Sequence, residues 1–213
     1  MNAWHQFDAA RMQEALAAAL NRGMPGRVAQ RAMAHRLAYG RHHGPVPDDA
    51  RRAAVLLALH QTPAGWSLPV ILRPETMKSH AGQISLPGGL IEADETATQT
   101  ALREFEEELG MAAANLNVVG QLSPIYVFVS GFEVTPLVAV SSVPLKFTPN
   151  PHEVAAIVEL PLSELGNPAN CGRHEIQRNG LRFTVPHFAI SGHLVWGATS
   201  LILSEFVALL NAL

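Results

Sequence analysis

One segment of this chain constrains its fold more than any other, an amphipathic stretch that follows a glycine-containing loop. Residues 96–109 contain neither glycine nor proline, and apolar side chains recur at helical spacing along one side. These side chains belong to Ala97, Ala101, Leu102, Phe105 and Leu109. Gly110 follows, and a glycine commonly ends a helix at such a position. The sequence therefore predicts an amphipathic helix over residues 96–109.

Strand-like segments lie on both sides of this helix in the sequence. Residues 53–59 and 66–72 predict an antiparallel hairpin, and four later stretches predict further strands. These stretches are residues 116–122, 133–140, 155–159 and 182–189. A helical turn is expected at residues 161–165 and a final helix from about Gly197. Because strands and helices do not alternate regularly, we expect an α/β protein of the α+β type, with a mixed sheet between helices.

The N-terminal part of the chain has a different pattern. Residues 8–39 show helical spacing that is interrupted around Gly23, Pro25 and Gly26. Residues 40–49 are rich in histidine, glycine and proline, which predicts a loop. We therefore expect an N-terminal helical extension over residues 1–50 and one domain over residues 51–213 that includes the C-terminal helix.

Charge and cysteine content exclude several classes of function. The formal net charge is -3 and the chain has no lysine and arginine block, so it lacks the electrostatic footprint of a nucleic-acid-binding protein. Cys171 is the only cysteine, which suits a reducing cytosol, and the first residues show no secretory signal. Residues 195–213 are apolar, but Glu205 and Asn211 favour a core-packing helix over a membrane span. We expect a cytoplasmic protein that binds neither nucleic acid nor membrane.

The acidic side of the predicted helix requires a cation. At about 100° per residue, Glu104, Glu107 and Glu108 fall within an arc of roughly 100°. Like charges at this spacing repel one another unless a positive group lies among them. Magnesium binds proteins through a few carboxylates together with substrate phosphates. The helix therefore predicts half of a magnesium or manganese site, which a diphosphate substrate would complete.

The spacing of these residues also matches a known motif. The chain from Gly89 to Met111 follows the pattern G-x5-E-x7-R-E-U-x-E-E-x-G-U, in which U is a bulky apolar residue. A chance match in a chain of this length is on the order of one in a million. The segment resembles the box of the Nudix hydrolase family. The resemblance implies the Nudix fold and metal-dependent hydrolysis of a diphosphate bond in a small nucleotide-like molecule.

The same resemblance implies roles for the residues of the box. Glu104 and Glu108 are expected as principal metal ligands, with Glu107 as a further ligand. Arg103 and Glu95 are expected to pin the loop to the helix.

Two further positions are candidates near the metal. Gly88 lets the backbone approach closely, so its carbonyl is a candidate metal ligand. Glu153 precedes a predicted strand and is either a glutamate that serves the metal or an ordinary surface acid. The residue that removes a proton from the attacking water is Glu104, Glu107 or Glu153.

The segment before the box indicates a substrate. Residues 72–89 resemble the corresponding segment of the coenzyme A diphosphatase branch, with Arg73, Gly82 and residues 86–89 in register. The departures from that pattern are Ile71, Pro74 and Lys78. The resemblance implies hydrolysis of coenzyme A or its derivatives to 4'-phosphopantetheine, or its acyl form, and adenosine 3',5'-bisphosphate. The alternatives are another nucleoside diphosphate derivative, such as a dinucleotide or nucleotide sugar, and a catalytically silent ligand-binding domain.

A coenzyme A substrate requires a basic group near its 3'-phosphate. Arg73 and Lys78 are the candidates, and the alternative is that both are surface charges. We expect His80 and Gln83 either to contact the substrate or the loop beside the metal, or to fix the conformation of that loop by hydrogen bonds. Trp196 is expected in the core rather than as an adenine platform. Family members often form dimers, so a homodimer is a further expectation.

Overall fold

Two sheets organise the fold within residues 3–38, 40–76, 81–178 and 180–213, which the computed structural model describes. The helices are α1 (Ala9–Arg22), α2 (Gly26–Gln30), α3 (Ala97–Leu109), α4 (Leu162–Leu165) and α5 (Ala198–Leu210). The strands are β1 (Arg51–Thr62), β2 (Gly65–Leu72), β3 (Ile84–Ser85), β4 (Gly88–Leu90), β5 (Leu116–Gln121), β6 (Ile125–Val127), β7 (Phe132–Ser141), β8 (Ala156–Pro161), β9 (Cys171–Arg178), β10 (Leu181–Ile190) and β11 (His193–Trp196).

The larger sheet is mixed, as the sequence predicts. Its order is β3-β2-β1-β7-β5, with β4 beside β1, β6 beside β7 and β8 beside β2. Residues 51–59 of β1 pair in parallel with residues 132–140 of β7. Both central strands are largely apolar and buried, as expected where a parallel pair is covered on both faces. The predicted hairpin is β1 and β2, which pair antiparallel.

Helix α3 forms where the amphipathic pattern predicts it. Thr96 caps its N-terminus in a reciprocal capping box with Gln99, and Gly110 ends it in the left-handed region at φ 64°. Phe105 and Leu109 are fully buried in a cluster with apolar residues of β1 and β7. A Cβ at Gly110 would collide with the backbone of Thr148, so this position requires glycine for both its φ and its packing.

The N-terminal segment packs on the larger sheet. Met12, Leu16 and Ala19 of α1 are buried in the same apolar cluster as residues of β1, β7 and α5. The helical run expected up to residue 39 is broken after α2 into short 3-10 turns at Arg31–Met33 and Arg36–Ala38. The boundary between an extension and a domain near residue 50 stays a prediction.

Five strands were not predicted from the sequence. β3, β4, β6 and β11 have two to four residues each, and β9 is a polar strand. β9, β10 and β11 form an antiparallel sheet in the order β11-β10-β9. Short or polar strands escape a search for apolar alternation, because their pairing partner rather than their own pattern specifies them.

The most apolar helix, α5, is a core helix. Ile202, Leu203, Phe206 and Leu209 are each at most 2% exposed. Across the described ranges, none of the helices combines the length and apolarity that crossing a membrane requires.

Candidate active site

A buried carboxylate lies where β4 meets α3. Glu108 is 3% exposed, and one of its oxygens accepts a hydrogen bond of 2.9 Å from the backbone N–H of Gly88. Gly88 has a φ of 150°, and a Cβ there would collide with the backbone of Ala54. This glycine therefore allows β4 to lie against β1 and to present its N–H to Glu108.

The environment of Glu108 disfavours its charged form. Burial raises the pKa of Glu108 to about 8, and the carboxylates of Glu104 and Glu153 act in the same direction. The Gly88 hydrogen bond and the charge of Arg73 oppose this shift. An acidic cluster of this kind is stabilised when a positive ion enters it.

Glu104 lies beside the second glycine of the loop. A Cβ at Gly89 would collide with the Glu104 carboxylate, so the absence of a side chain at Gly89 makes room for that carboxylate. The side chain of Glu104 is 16% exposed. Burial raises the pKa of Glu104, while a hydrogen bond from Arg103 opposes the shift.

Arg103 joins the loop to the helix. Its Nε and Nη2 donate to the two oxygens of Glu95 at 2.8 and 3.0 Å, and Nη2 also donates to the Leu90 carbonyl at 3.3 Å. Hydrogen bonds from Arg103 and Thr100 lower the pKa of Glu95 to about 2. The loop between β4 and α3 is thus held by a bidentate ion pair.

Arg103 also reaches the acidic cluster. Its Nη1 donates to Glu104 at 2.8 Å and to Glu107 at 3.0 Å. Residues four positions apart are neighbours on a helix, which explains the contact with Glu107, whereas the contact with the adjacent Glu104 depends on the length of the arginine side chain. Glu107 is the most exposed of these acids, with 54% of its side chain accessible.

The turn that contains Glu153 is tied to the end of α3. Thr148 and Asn150 donate backbone hydrogen bonds of 2.8 and 3.0 Å to the carbonyls of Leu109 and Glu108. Asn150 then accepts the N–H of Glu153 at 3.1 Å. The charge of Glu153 raises the pKa of both Glu104 and Glu108, which places it in the same electrostatic environment. This anchoring turn cannot be predicted from local sequence patterns, because it depends on hydrogen bonds between distant segments.

The substrate candidates before the box are only partly described. Arg73 and Gln83 close the base of their loop through a backbone hydrogen bond of 3.0 Å. The Nε of Arg73 is buried without a hydrogen-bond partner among the described residues. Lys78 and His80 lie outside the described residues. Trp196 is only partly buried and lies edge-on to His174, with ring centroids 5.8 Å apart.

The residues present fit a hard divalent cation. In the described part of the chain, no three His, Cys, Asp or Glu side chains stand in a ready metal-ligating arrangement, and Arg103 contacts both Glu104 and Glu107. The donor chemistry is nevertheless that of a site for a hard divalent cation, because the cluster consists of carboxylate oxygens. The raised pKa of the buried Glu108 shows that this site favours a positive neighbour.

Comparison with known proteins identifies the family. The NUDIX domain model matches residues 46–179. The chain belongs to the Nudix hydrolase family. It is similar to an uncharacterized Nudix hydrolase NudL of Photorhabdus laumondii, with 37% identity over 159 residues that cover 74% of this chain and 84% of the relative. A NudL of Pectobacterium atrosepticum is 36% identical over 158 residues, covering 73% and 80%.

A solved structure supports the fold of this Nudix hydrolase. The MutT protein from Methanosarcina mazei Go1 matches with a TM-score of 0.50 and 17% identity, covering 76% of this chain and 96% of that protein. The family assignment makes the chain a diphosphatase, and Nudix hydrolases generally use divalent metal ions. The predicted family, fold class and enzyme class are therefore confirmed.

Proposed function

We propose that this Nudix hydrolase cleaves the diphosphate bond of coenzyme A or its derivatives with magnesium or manganese. The products would be 4'-phosphopantetheine, or its acyl form, and adenosine 3',5'-bisphosphate. The structural observation that supports a phosphate-bearing substrate is the position of Arg73, whose charge lowers the pKa of Glu108 while its Nε has no described hydrogen-bond partner. Arg73 also belongs to the segment that resembles the coenzyme A diphosphatases. An arginine beside the acidic cluster supplies a cation for a substrate phosphate.

The carboxylates of α3 have complementary roles in this proposal. Glu104, Glu107 and Glu108 hold the cations, joined by Glu153 and the backbone carbonyl of Gly88. A bound divalent ion lowers the pKa of a water molecule and neutralises charge on the phosphoryl oxygens. Glu104, Glu107 or Glu153 accepts the proton of the attacking water.

The remaining site residues orient this cluster or the substrate. Glu95 holds Arg103 through two hydrogen bonds, so Arg103 keeps Glu104 and Glu107 in fixed positions. Lys78, His80 and Gln83 belong to the loop that receives the substrate. We place the protein in the cytoplasm, as its single cysteine suggests, and a homodimer is part of the proposal.

A second candidate substrate is another nucleoside diphosphate derivative, such as a dinucleotide or a nucleotide sugar. Pro74 and Lys78 favour it, because both depart from the coenzyme A diphosphatase pattern. Lysine in particular lacks the planar fork with which arginine binds phosphate through two hydrogen bonds.

Product analysis separates these substrates. The protein is incubated with coenzyme A, 3'-dephospho-coenzyme A, a dinucleotide and a nucleotide sugar, each with magnesium and with manganese, and the products are chromatographed. We expect adenosine 3',5'-bisphosphate from coenzyme A and a preference for coenzyme A over its dephospho form. If the dinucleotide is cleaved while coenzyme A stays intact, the proposed substrate is wrong, but the assignment as a diphosphatase stands.

A variant pair tests the role of Arg73. Arg73→Gln should reduce the preference for coenzyme A over 3'-dephospho-coenzyme A by about 10-fold, the effect of one charge-assisted contact of roughly 1.4 kcal/mol. Arg52→Gln is the matched control, because Arg52 is 77% exposed and lies 4.0 Å from Glu133. An unchanged preference in Arg73→Gln would remove Arg73 from substrate recognition.

A further inference from the structure

A second cleft lies where the N-terminal segment meets the three-stranded sheet. Its volume is about 490 Å³, and it is lined by Arg36, Arg173, Phe183 and Thr184. Small-molecule sites have volumes of roughly 300–1,000 Å³, so the cleft is large enough for a nucleotide-sized ligand. None of these residues belongs to the Nudix box or to the loop that precedes it.

The charges of this cleft favour an anion. Arg36 and Arg173 are exposed, and neither guanidinium group makes an ion pair or a hydrogen bond with another residue in the described ranges. Glu175 follows Arg173 on the same face of β9. Its Oε1 lies 3.8 Å from Nη1 of Arg182. Two unpaired guanidinium groups on one cleft match the several oxygens of a phosphate group, which arginine binds in a bidentate manner.

The wall of the cleft also offers an aromatic ring. Phe183 is partly exposed and packs against His35, with ring centroids 5.5 Å apart and planes tilted by 36°. A phenylalanine ring that is supported on one side can stack a planar base on the other. Thr184 adds an exposed residue to the lining. The cleft therefore combines two arginines, a threonine and an aromatic ring.

We propose that this cleft binds a phosphorylated ligand with a planar aromatic ring, of the adenosine phosphate class. Arg36 and Arg173 contact the phosphate, and Phe183 stacks on the ring. Such a ligand has two sources, the adenosine end of a nucleotide substrate and a separate nucleotide that binds outside the active site. The proposal concerns binding and does not depend on coenzyme A being the substrate.

Calorimetric titration with adenosine 3',5'-bisphosphate, without a divalent metal, tests the cleft. The double variant Arg36→Gln with Arg173→Gln should bind the probe at least about 10-fold more weakly than the unaltered protein, the effect of losing one or two charge-assisted contacts. Arg182→Gln is the matched control from the same sheet and should change the affinity less than about 2-fold. Unchanged binding in the double variant, or no binding by the unaltered protein, would overturn the proposal.

Two further arms identify the ring contact and the source of the ligand. Phe183→Leu should weaken the binding of the adenosine probe but not the binding of inorganic phosphate. If Phe183→Leu binds the adenosine probe as tightly as the unaltered protein does, Phe183 does not contact the ligand. If the double variant raises KM for the cleaved nucleotide at constant kcat, the cleft holds one end of the substrate. If probe binding weakens while KM and kcat stay constant, the cleft is a separate nucleotide site. Both results support binding in the cleft, whereas failure of the proposed function would appear only as uncleaved coenzyme A.

Discussion

The carboxylate of Glu205 on α5 gives the sharpest prediction about how the N-terminal segment is held. Glu205 is fully buried and accepts four hydrogen bonds from two distant parts of the chain. The donors are Gly26 N at 3.0 Å, Gln30 Nε2 at 2.7 Å, Ser123 N at 3.2 Å and Ser123 Oγ at 2.8 Å. Replacing Glu205 with alanine leaves all four donors without this partner.

The magnitude follows from these contacts. A hydrogen bond to a charged group contributes about 1.5–3 kcal/mol, so four of them contribute about 6–12 kcal/mol. Burying the carboxylate costs several kcal/mol, which offsets part of that sum. We therefore expect Glu205→Ala to lower the free energy of unfolding by about 3–5 kcal/mol, equivalent to a fall in Tm of roughly 6–20 °C for a chain of this size. Glu205→Gln keeps the shape and one acceptor oxygen, so its loss should be smaller.

Urea unfolding followed by circular dichroism and tryptophan fluorescence measures this loss, since Trp4 in the N-terminal segment is 2% exposed. Glu14→Ala is the matched control, because the Glu14 side chain is 73% exposed and its contact with Arg11 is 3.5 Å. The control should lose less than about 1 kcal/mol. If the free energy of unfolding of Glu205→Ala lies within about 1 kcal/mol of that of the unaltered protein, the hydrogen bonds of Glu205 do not hold the N-terminal segment.

Two other predictions follow from the site and from the histidines. Gly89→Ala should push the Glu104 carboxylate aside and lower kcat/KM by at least about 100-fold with little change in Tm, whereas Gly166→Ala, at an ordinary φ of -78°, should preserve activity. Burial, together with neighbouring histidines and Arg27, lowers the pKa of His42 to about 4. As the pH falls, the unfolded chain therefore binds a proton at this histidine before the folded chain does. The contribution of His42 to the free energy of unfolding is complete above about pH 6.5 and is lost as the pH falls toward 4. His42→Phe should reduce the difference in unfolding free energy between about pH 7.5 and pH 5, and an unchanged difference would contradict this.

Local patterns predict some parts of the fold, and contacts between distant segments decide the others. Helix α3 is predictable because its apolar spacing, its cap at Thr96 and its end at Gly110 all lie within one segment. β9 is not predictable in this way, because its polar residues gain their structure from pairing with β10. The role of Glu205 is also hidden from the sequence, because its partner Gln30 lies 175 positions away.

The same distinction applies to the site. Helical spacing predicts that Glu104, Glu107 and Glu108 lie on one side of α3, but it does not indicate which of them is buried. Strand β4 decides this, because the N–H of Gly88 lies against Glu108 while Glu107 remains exposed. The bidentate contact between Arg103 and Glu95 agrees with the family motif, yet the reach of Arg103 to Glu107 depends on side-chain conformation.

The central claim is that the buried carboxylate of α3 serves metal-dependent diphosphate hydrolysis. The most direct test compares kcat/KM for coenzyme A hydrolysis, with saturating magnesium, in Glu108→Gln and Glu106→Gln. Glu106 is an exposed residue of the same helix whose carboxylate accepts the N–H of Ala113 at 2.6 Å, a contact that glutamine can preserve. We expect kcat/KM to fall by at least about 1,000-fold, or about 4 kcal/mol, in Glu108→Gln and by less than about 3-fold in Glu106→Gln. Equal activity in the two variants would contradict the central claim.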